Sequence, residues 1–408
     1  MDRGKPILKT RKRHVLKINY TNISTLILFT YDKEKEIIIE QKAGEKKKKK
    51  TTWIFLLVNL VIVAAIFVYN FAFKETKPIS ELIAEKPFYR FFFIALAVVG
   101  VFYLISGIGY SILLKQTTGK FKFWLGLQLA IIGKYWDNIT PFGSGGQFAQ
   151  IAHGSKKGVS GNTTTGVVVG KYMLGMLSFV FLGIVSLFIP IDTFTTGTII
   201  KVLAIVGVAI NLLVTLFIWI VSTNRKLCSI IVIGGLKLLH KMHIVKNFNR
   251  SLYKSMRFIK QYQKAFKIFI KKPWVVITEV LITFVESILM ALISYLVYLA
   301  FNFPTVNVSP ITIFAMSFLC SFATSYIPLP GGSGLAEISF AALFSKLFSE
   351  NITFWALMSW RVFTFYILIL IGFLYTLLDP SFAKANQKIQ YSIQQRKLRR
   401  ENGKKKTD

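Results

Sequence analysis

The sequence predicts an all-α polytopic membrane protein, with inverted repeats and two broken or re-entrant helix hairpins. Three observations predict it. Of 408 residues, 53% are hydrophobic and 15% aromatic, mean hydropathy is +0.53, and the apolar runs are longer than a soluble core helix requires. Two stretches rich in glycine and proline interrupt those runs, PFGSGGQFAQI from Pro141 to Ile151 and PLPGGSGLAEI from Pro328 to Ile338. Aligned without gaps they match Pro141 with Pro328, Phe142 with Leu329, Gly145 with Gly332, Phe148 with Leu335, Ala149 with Ala336, Gln150 with Glu337 and Ile151 with Ile338. Such breaks at corresponding places in two hydrophobic halves mark folds whose discontinuous helices meet near the membrane midplane. The third observation is the distribution of basic residues, which fixes how many times each hairpin crosses.

Lysine and arginine number 51 against 18 acids. In a soluble protein that excess points to nucleic acid; here membrane orientation and anionic lipid account for it, and no DNA partner is expected. Cys228 and Cys320 make no disulfide framework. The four histidines show no HExxH spacing and no CxxC occurs, so neither a metal site nor a cofactor is expected.

In chain order, residues 1–52 form a basic cytoplasmic arm that ends in the Lys46–Lys50 run and lacks the apolar core of a cleavable signal. Within it, Ile18 to Ile39 is compatible with a small hairpin or a disordered lipid-touching tail. Spans follow from Trp53 to Phe73 and from Phe88 to Leu114. Phe123 to Thr140 is long enough to span. A single crossing there would leave Arg225 to Lys272, with 13 basic residues and no acid, outside the cell. The positive-inside rule therefore requires 123–154 to cross an even number of times, breaking at Pro141–Gly146. Val159 to Pro190 and Ile199 to Val221 are further spans that return the basic loop 225–272 to the cytoplasm.

Within that loop Phe248, Leu252, Met256, Ile259, Tyr262, Phe266 and Phe269 recur every three or four residues opposite a row of lysines and arginines. This is a cationic amphipathic helix, suited either to anionic headgroups or to the protein's own cytoplasmic face. Trp274 to Phe301 spans outward, Ile311 to Phe348 again crosses an even number of times, and Phe354 to Leu378 brings the basic tail 379–408 back inside. Three spans separate the glycine elements. The first then enters from the cytoplasm and the second from outside, and both termini are cytoplasmic in a multi-pass protein of the cell membrane.

The run IPLPGGSGLAEISF after an apolar helix, and TPFGSGGQ followed by GNTTTGVVVGKY, resemble the transmembrane domain of the lysylphosphatidylglycerol synthase/flippase family, over roughly Trp53 to Leu378. In the bifunctional members, the multiple peptide resistance factors that give antimicrobial peptide resistance, this membrane part moves an aminoacylated lipid and a soluble C-terminal domain makes it from aminoacyl-tRNA. After Leu378 only 30 residues remain here, too few to bury an acyltransferase core. The resemblance therefore implies the flippase part, a lipid transporter for lysyl-phosphatidylglycerol or a related anionic or aminoacylated phospholipid, working with a separate lipid-aminoacylating synthase. The alternative is a phosphatidylglycerol lysyltransferase, which alone would need tRNA.

A headgroup path needs polar groups inside spans, where charges are costly and usually functional. Lys134 and Asp137 lie three apart on one face before the first break and are spaced to pair. Glu279 and Glu286 share a face of the span from Trp274; Glu279, near its cytoplasmic end, is expected to snorkel, and Glu286, nearer the middle, to bind. Glu337 falls in the first turn of the second half-helix, where the helix dipole favours a carboxylate. Gln147 and Gln150 occupy the first half-helix. Because Gln150 aligns with Glu337, the cationic group is expected nearer the second element.

Lys171 and Arg361 are expected to hold phosphate or to satisfy these acids, while the glycine-exposed backbone N–H groups receive phosphate. The broken turns comprise Pro141, Gly143, Gly145 and Gly146 in the first element and Pro328, Pro330, Gly331, Gly332 and Gly334 in the second. No residue is assigned a catalytic role. No nucleotide-binding G-x-x-x-x-G-K-[ST] occurs, so transport would be facilitated or coupled to an ion such as a proton on Glu286 or Glu337.

Overall fold

The computed structural model describes residues 89–191, 198–242, 248–301, 308–325, 329–344 and 346–379. The expectations for the arm 1–52, the first span from Trp53, Pro328 and the tail beyond Asp379 lie outside them. Among the described residues the fold is all helix, and five helices are long and apolar enough to cross a membrane. The protein is an all-α polytopic membrane protein.

The first described span, α1 (Tyr89–Thr118), is followed by α2 (Phe123–Ile139), which stops at a 3-10 turn over Pro141–Gly143. A short half-helix, α3 (Gly145–Lys156), continues the chain. Two spans come next, α4 (Gly161–Leu187) and α5 (Thr198–Thr223), and then two surface helices, α6 (Arg225–Lys241) and α7 (Phe248–Ile270). The second half runs through the long span α8 (Pro273–Phe301), the short α9 (Pro310–Thr324), a second 3-10 turn over Pro330–Gly332 and the half-helix α10 (Leu335–Phe344). It ends in α11 (Glu350–Arg361), a π-helical turn over Val362–Tyr366 and α12 (Ile367–Leu378).

The hairpin breaks fall where the sequence interrupts its apolar runs, and local chemistry explains how each closes. The carboxylate of Asp137, near the end of α2, accepts a hydrogen bond from the Gly146 amide at 2.9 Å, and Thr140 Oγ1 accepts from the Gly145 amide at 2.8 Å. These bonds satisfy two of the orphan N–H groups that begin α3. In the second element Glu337, in the first turn of α10, reaches back to the Gly334 amide, the reciprocal half of a capping box.

The two turns also share a backbone. Phe142 and Gly143 have φ of +57° and +56°, and Gly331 and Gly332 have +59° and +62°. The structure therefore equates Pro141-Phe142-Gly143-Ser144-Gly145 with Pro330-Gly331-Gly332-Ser333-Gly334, two residues away from the alignment that begins at Pro328. The ungapped sequence match maximised side-chain similarity along the half-helices, whereas the turn is set by two successive left-handed residues after a proline. In the corrected register Gln150 corresponds to Ser339, not to Glu337. The two turns are in contact with each other, although Phe142 and Gly143 of the first remain exposed.

Close helix approach does the rest of the packing. α1 lies against α2, α4 and α8; α5 lies against α9; and α12 lies against α2. At the last of these contacts Gly372 accepts the Tyr135 ring, and at α5 Gly207 faces the Phe322 backbone. Interhelical hydroxyl bonds reinforce the contacts where no water competes: Ser178 donates to the Val280 carbonyl at 2.8 Å, and Ser294 and Ser317 are 2.8 Å apart.

One difference from the sequence reading concerns the basic loop. It holds two helices rather than one, because Asn224, whose side chain accepts from the Lys226 and Leu227 amides, starts α6 directly after α5. The amphipathic α7 turns Ile259, Phe266 and Phe269 into the protein, where Phe266 meets Met173 and Leu174 of α4 and Phe269 abuts Gly170. Packing against α4 covers Phe266 and Phe269.

Candidate functional site

Lys171 sits midway along α4, and its ammonium contacts two carboxylates of α8: Glu279 Oε1 at 2.7 Å and Glu286 Oε1 at 2.8 Å. The heptad spacing of the two glutamates puts both on the α8 face that meets α4. Gly109 of α1 makes room for the cluster, since a Cβ there would come within 2.6 Å of both Glu279 Oε1 and Lys171 Nζ. The ring of Tyr110 lies 5.2 Å from the same ammonium. Its hydroxyl accepts from Gln150 Nε2 at 2.7 Å, and that amide also donates to the Leu129 carbonyl. A carboxylate network on α8 is thereby connected to the first half-helix.

The glutamates are not equivalent. Glu279 is fully buried, and among the described residues its Oε2 has no hydrogen-bond partner. It does not snorkel: Lys171 holds it inside the bundle. Glu286 keeps 14% of its side chain accessible and faces two adjoining cavities of about 330 and 310 Å³. Lys134, Phe179, Glu286 and Ser287 line both. The first cavity extends to Asp137, Gln147, Gln150 and Lys171 beside the first turn, and the second to Asn138, Ser317, Ser321 and Thr364 on the other side.

Lys134 and Asp137 both border the first cavity, but Asp137 is engaged with the α3 amide and the Lys134 ammonium lies 5.4 Å from the Phe102 ring centroid. Their spacing on one face led to the expectation of a pair; the cap competes for the carboxylate.

Around the second turn Arg361 Nε donates to Glu337 Oε1 at 2.7 Å, and Arg361 Nη1 donates to the Gly331 carbonyl at 3.1 Å. Both side chains are buried and line neither cavity. The guanidinium also lies 5.2 and 5.4 Å from the Trp360 and Phe365 ring centroids. The π turn that begins immediately after Arg361 widens the helix at this residue, a distortion frequent at functional positions.

Residues 55–372 match the family described as Lysylphosphatidylglycerol synthase TM region. The chain belongs to this family. A UPF0104 membrane protein of Archaeoglobus fulgidus is 22% identical over 347 residues, which cover 81% of this chain and 98% of that protein. No solved structure matches the chain. For this Lysylphosphatidylglycerol synthase TM region protein, the sequence signals for Lys171, Glu286, Glu337 and Arg361 were charges within apolar segments. Those for Gly109, Tyr110 and the partners of Gln150 were not legible, because small and aromatic residues are ordinary in spans and only the packing reveals what they face.

A third polar group closes the end of the hairpin. Asp379, just past α12, accepts from Lys157 Nζ at 3.0 Å and from the Tyr375 hydroxyl at 3.0 Å, and its Oδ2 lies 3.6 Å from His153 Nδ1. His153 Nε2 lies 3.1 Å from Gln128 Oε1. The C-terminal end of α3 is thus tied to α2 and to the end of α12.

Proposed function

We propose that the protein is a lipid flippase, moving lysyl-phosphatidylglycerol or a related phospholipid with a cationic headgroup across the cell membrane. The observation that carries this reading is the charge of the cavity region. Lys134 and Lys171 face Asp137, Glu279 and Glu286, so with every group ionised one negative charge is left over inside a bilayer. An aminoacylated phosphatidylglycerol, with two ammonium groups and one phosphate, carries the complementary net charge.

In this reading Glu286 receives an ammonium, because it is the carboxylate open to both cavities. Glu337 is committed to Arg361 and Gly334, and we assign it to holding the second turn. Lys134, with Gln147 and Gln150 of the first half-helix, provides donors for the phosphate. The acyl chains remain in lipid while the headgroup passes from one cavity to the other by way of Glu286. The matching conformation and mutual contact of the two turns support a repeat of the halves, and the distribution of basic residues supports an inverted arrangement in which each turn enters from one side and both chain ends are cytoplasmic.

The test is flipping of headgroup-labelled lysyl-phosphatidylglycerol in proteoliposomes that contain the intact chain, its Glu286→Gln variant or a Gly331/Gly332→Leu variant. Transport by the intact chain that falls at least tenfold in Glu286→Gln supports the reading. No transport by folded protein overturns it, as does tRNA-dependent lysylation of phosphatidylglycerol by the purified chain without any lipid movement.

A further inference from the structure

Two carboxylates share one ammonium at the centre of this bundle. Glu279 and Glu286 each lie within hydrogen-bond distance of Lys171 Nζ, so with all three ionised the cluster has a net charge of minus one. Burial makes that excess costly, because a buried ion is tolerated only when paired and fully hydrogen-bonded. Glu279 fails that condition: it is wholly inaccessible, and its Oε2 has no partner among the described residues.

The groups that face the pair do not remove the excess. From α1 comes Tyr110, whose ring and hydroxyl carry no positive charge. From α2 come Lys134 and Asp137, which cancel one another, and from α4 comes Tyr172 beside Lys171.

We infer that, when no lipid is bound, the Glu279–Glu286 pair holds one proton, and that the cationic headgroup displaces it. This inference rests on the flippase reading of the same site. The proton's exit route is visible: Glu286 opens onto both cavities, whereas Glu279 opens onto neither. The arriving ammonium takes a position against the Glu286 carboxylate, the proton passes from the pair to cavity water, and the cluster keeps the same total charge throughout. Lipid movement in one direction is therefore exchanged for a proton in the other, and a proton gradient supplies the drive that a nucleotide site would supply elsewhere.

The experiment is titration of the intact purified protein, in weakly buffered detergent with a pH indicator, with short-chain lysyl-phosphatidylglycerol, binding being followed separately by calorimetry. Release of about one proton per lipid bound is expected from linkage, with phosphatidylglycerol itself releasing none, and Glu286→Gln binding the lipid at least tenfold more weakly with the release lost. Binding of the lysyl lipid without proton release overturns the exchange and leaves the flippase reading standing. Absence of binding overturns both.

Discussion

Glu337 Oε1 lies 2.7 Å from Arg361 Nε, which ties the first turn of α10 to the last residue of α11 around the second glycine turn. The same carboxylate accepts from the Gly334 amide, and the same guanidinium donates to the Gly331 carbonyl. One ion pair therefore fixes both ends of the turn. Arg361→Ala leaves a buried carboxylate without its cation and is expected to cost about 3–5 kcal/mol. The double variant Arg361→Met with Glu337→Gln, which removes both charges, is expected to recover part of that loss. Thermal stability in detergent measures both; equal losses in the single and double variants would mean that the pair does not hold the turn.

The shared left-handed turns lead to opposite expectations at equivalent positions. Phe142 adopts φ +57° and is more than half exposed, so a side chain that gains little from burial holds a conformation costing about 1–2 kcal/mol. Phe142→Gly is expected to preserve or raise the melting temperature. Gly331→Ala, at the matching position, acquires that strain and also drives a Cβ into the Phe365 ring, so its melting temperature should fall clearly. A Phe142→Gly variant that melts lower than the parent would contradict this account of the turn.

Gly109 is the contact through which α1 admits the Lys171 cluster. A methyl group there meets both Glu279 Oε1 and Lys171 Nζ, so Gly109→Ala is expected to displace the ion pairs and, on the proposed flippase reading, to reduce lipid movement severalfold. Gly100 on the same helix has nothing within 4 Å of the corresponding Cβ. Gly100→Ala should therefore be neutral, or stabilising by about 0.5–1 kcal/mol from helix propensity. Comparing flipping rates and melting temperatures of the two variants separates a local clash from a general effect on α1.

Much of this organisation was legible from the chain alone. The hairpins of α2–α3 and α9–α10 follow from Pro141, Pro330 and the glycines beside them, because proline and left-handed glycine stop an apolar helix whatever surrounds it. The charges Lys171, Glu286 and Arg361 were conspicuous for the same reason. What was not legible is pairing across helices. Glu279 read as a terminal residue able to snorkel, and Lys171 and Arg361 as holders of phosphate or partners of the acids with no choice between them, since nothing in the local sequence tells that Lys171 meets Glu279 and Arg361 meets Glu337 from 108 and 24 residues away. The register of the repeat misled by two positions, because side-chain similarity and backbone conformation selected different alignments.

Cys228 in α6 is buried, and burial raises its thiol above the ordinary cysteine range by disfavouring the charged thiolate. Only the thiolate attacks a maleimide, so labelling at neutral pH should be slow in the folded protein and should accelerate as pH rises toward the elevated value. Cys320, buried in α9, is expected to stay unlabelled until the bundle unfolds. Mass spectrometry after timed labelling checks both. Rapid modification of Cys228 at neutral pH would show that α6 leaves its buried face open.

The amphipathic helix α7 distinguishes protein packing from lipid docking. Phe266 and Phe269 are about 1% exposed, and Phe269 contacts the α4 backbone at Gly170. Phe269→Ala removes a buried ring seated at the Gly170 notch, a change of the kind that costs about 3–5 kcal/mol in a core. It is expected to lower the melting temperature and to speed hydrogen exchange selectively over 248–270. Lys260, Lys264 and Lys267, in contrast, are exposed on the opposite side, and a Lys260/Lys264/Lys267→Gln variant should leave both readouts unchanged in detergent, because solvated charges of one sign contribute little to packing. If the lysine variant destabilised α7 as much as Phe269→Ala, the helix would be held by its charged face, and the packing of its aromatic stripe against α4 would not be what seats it.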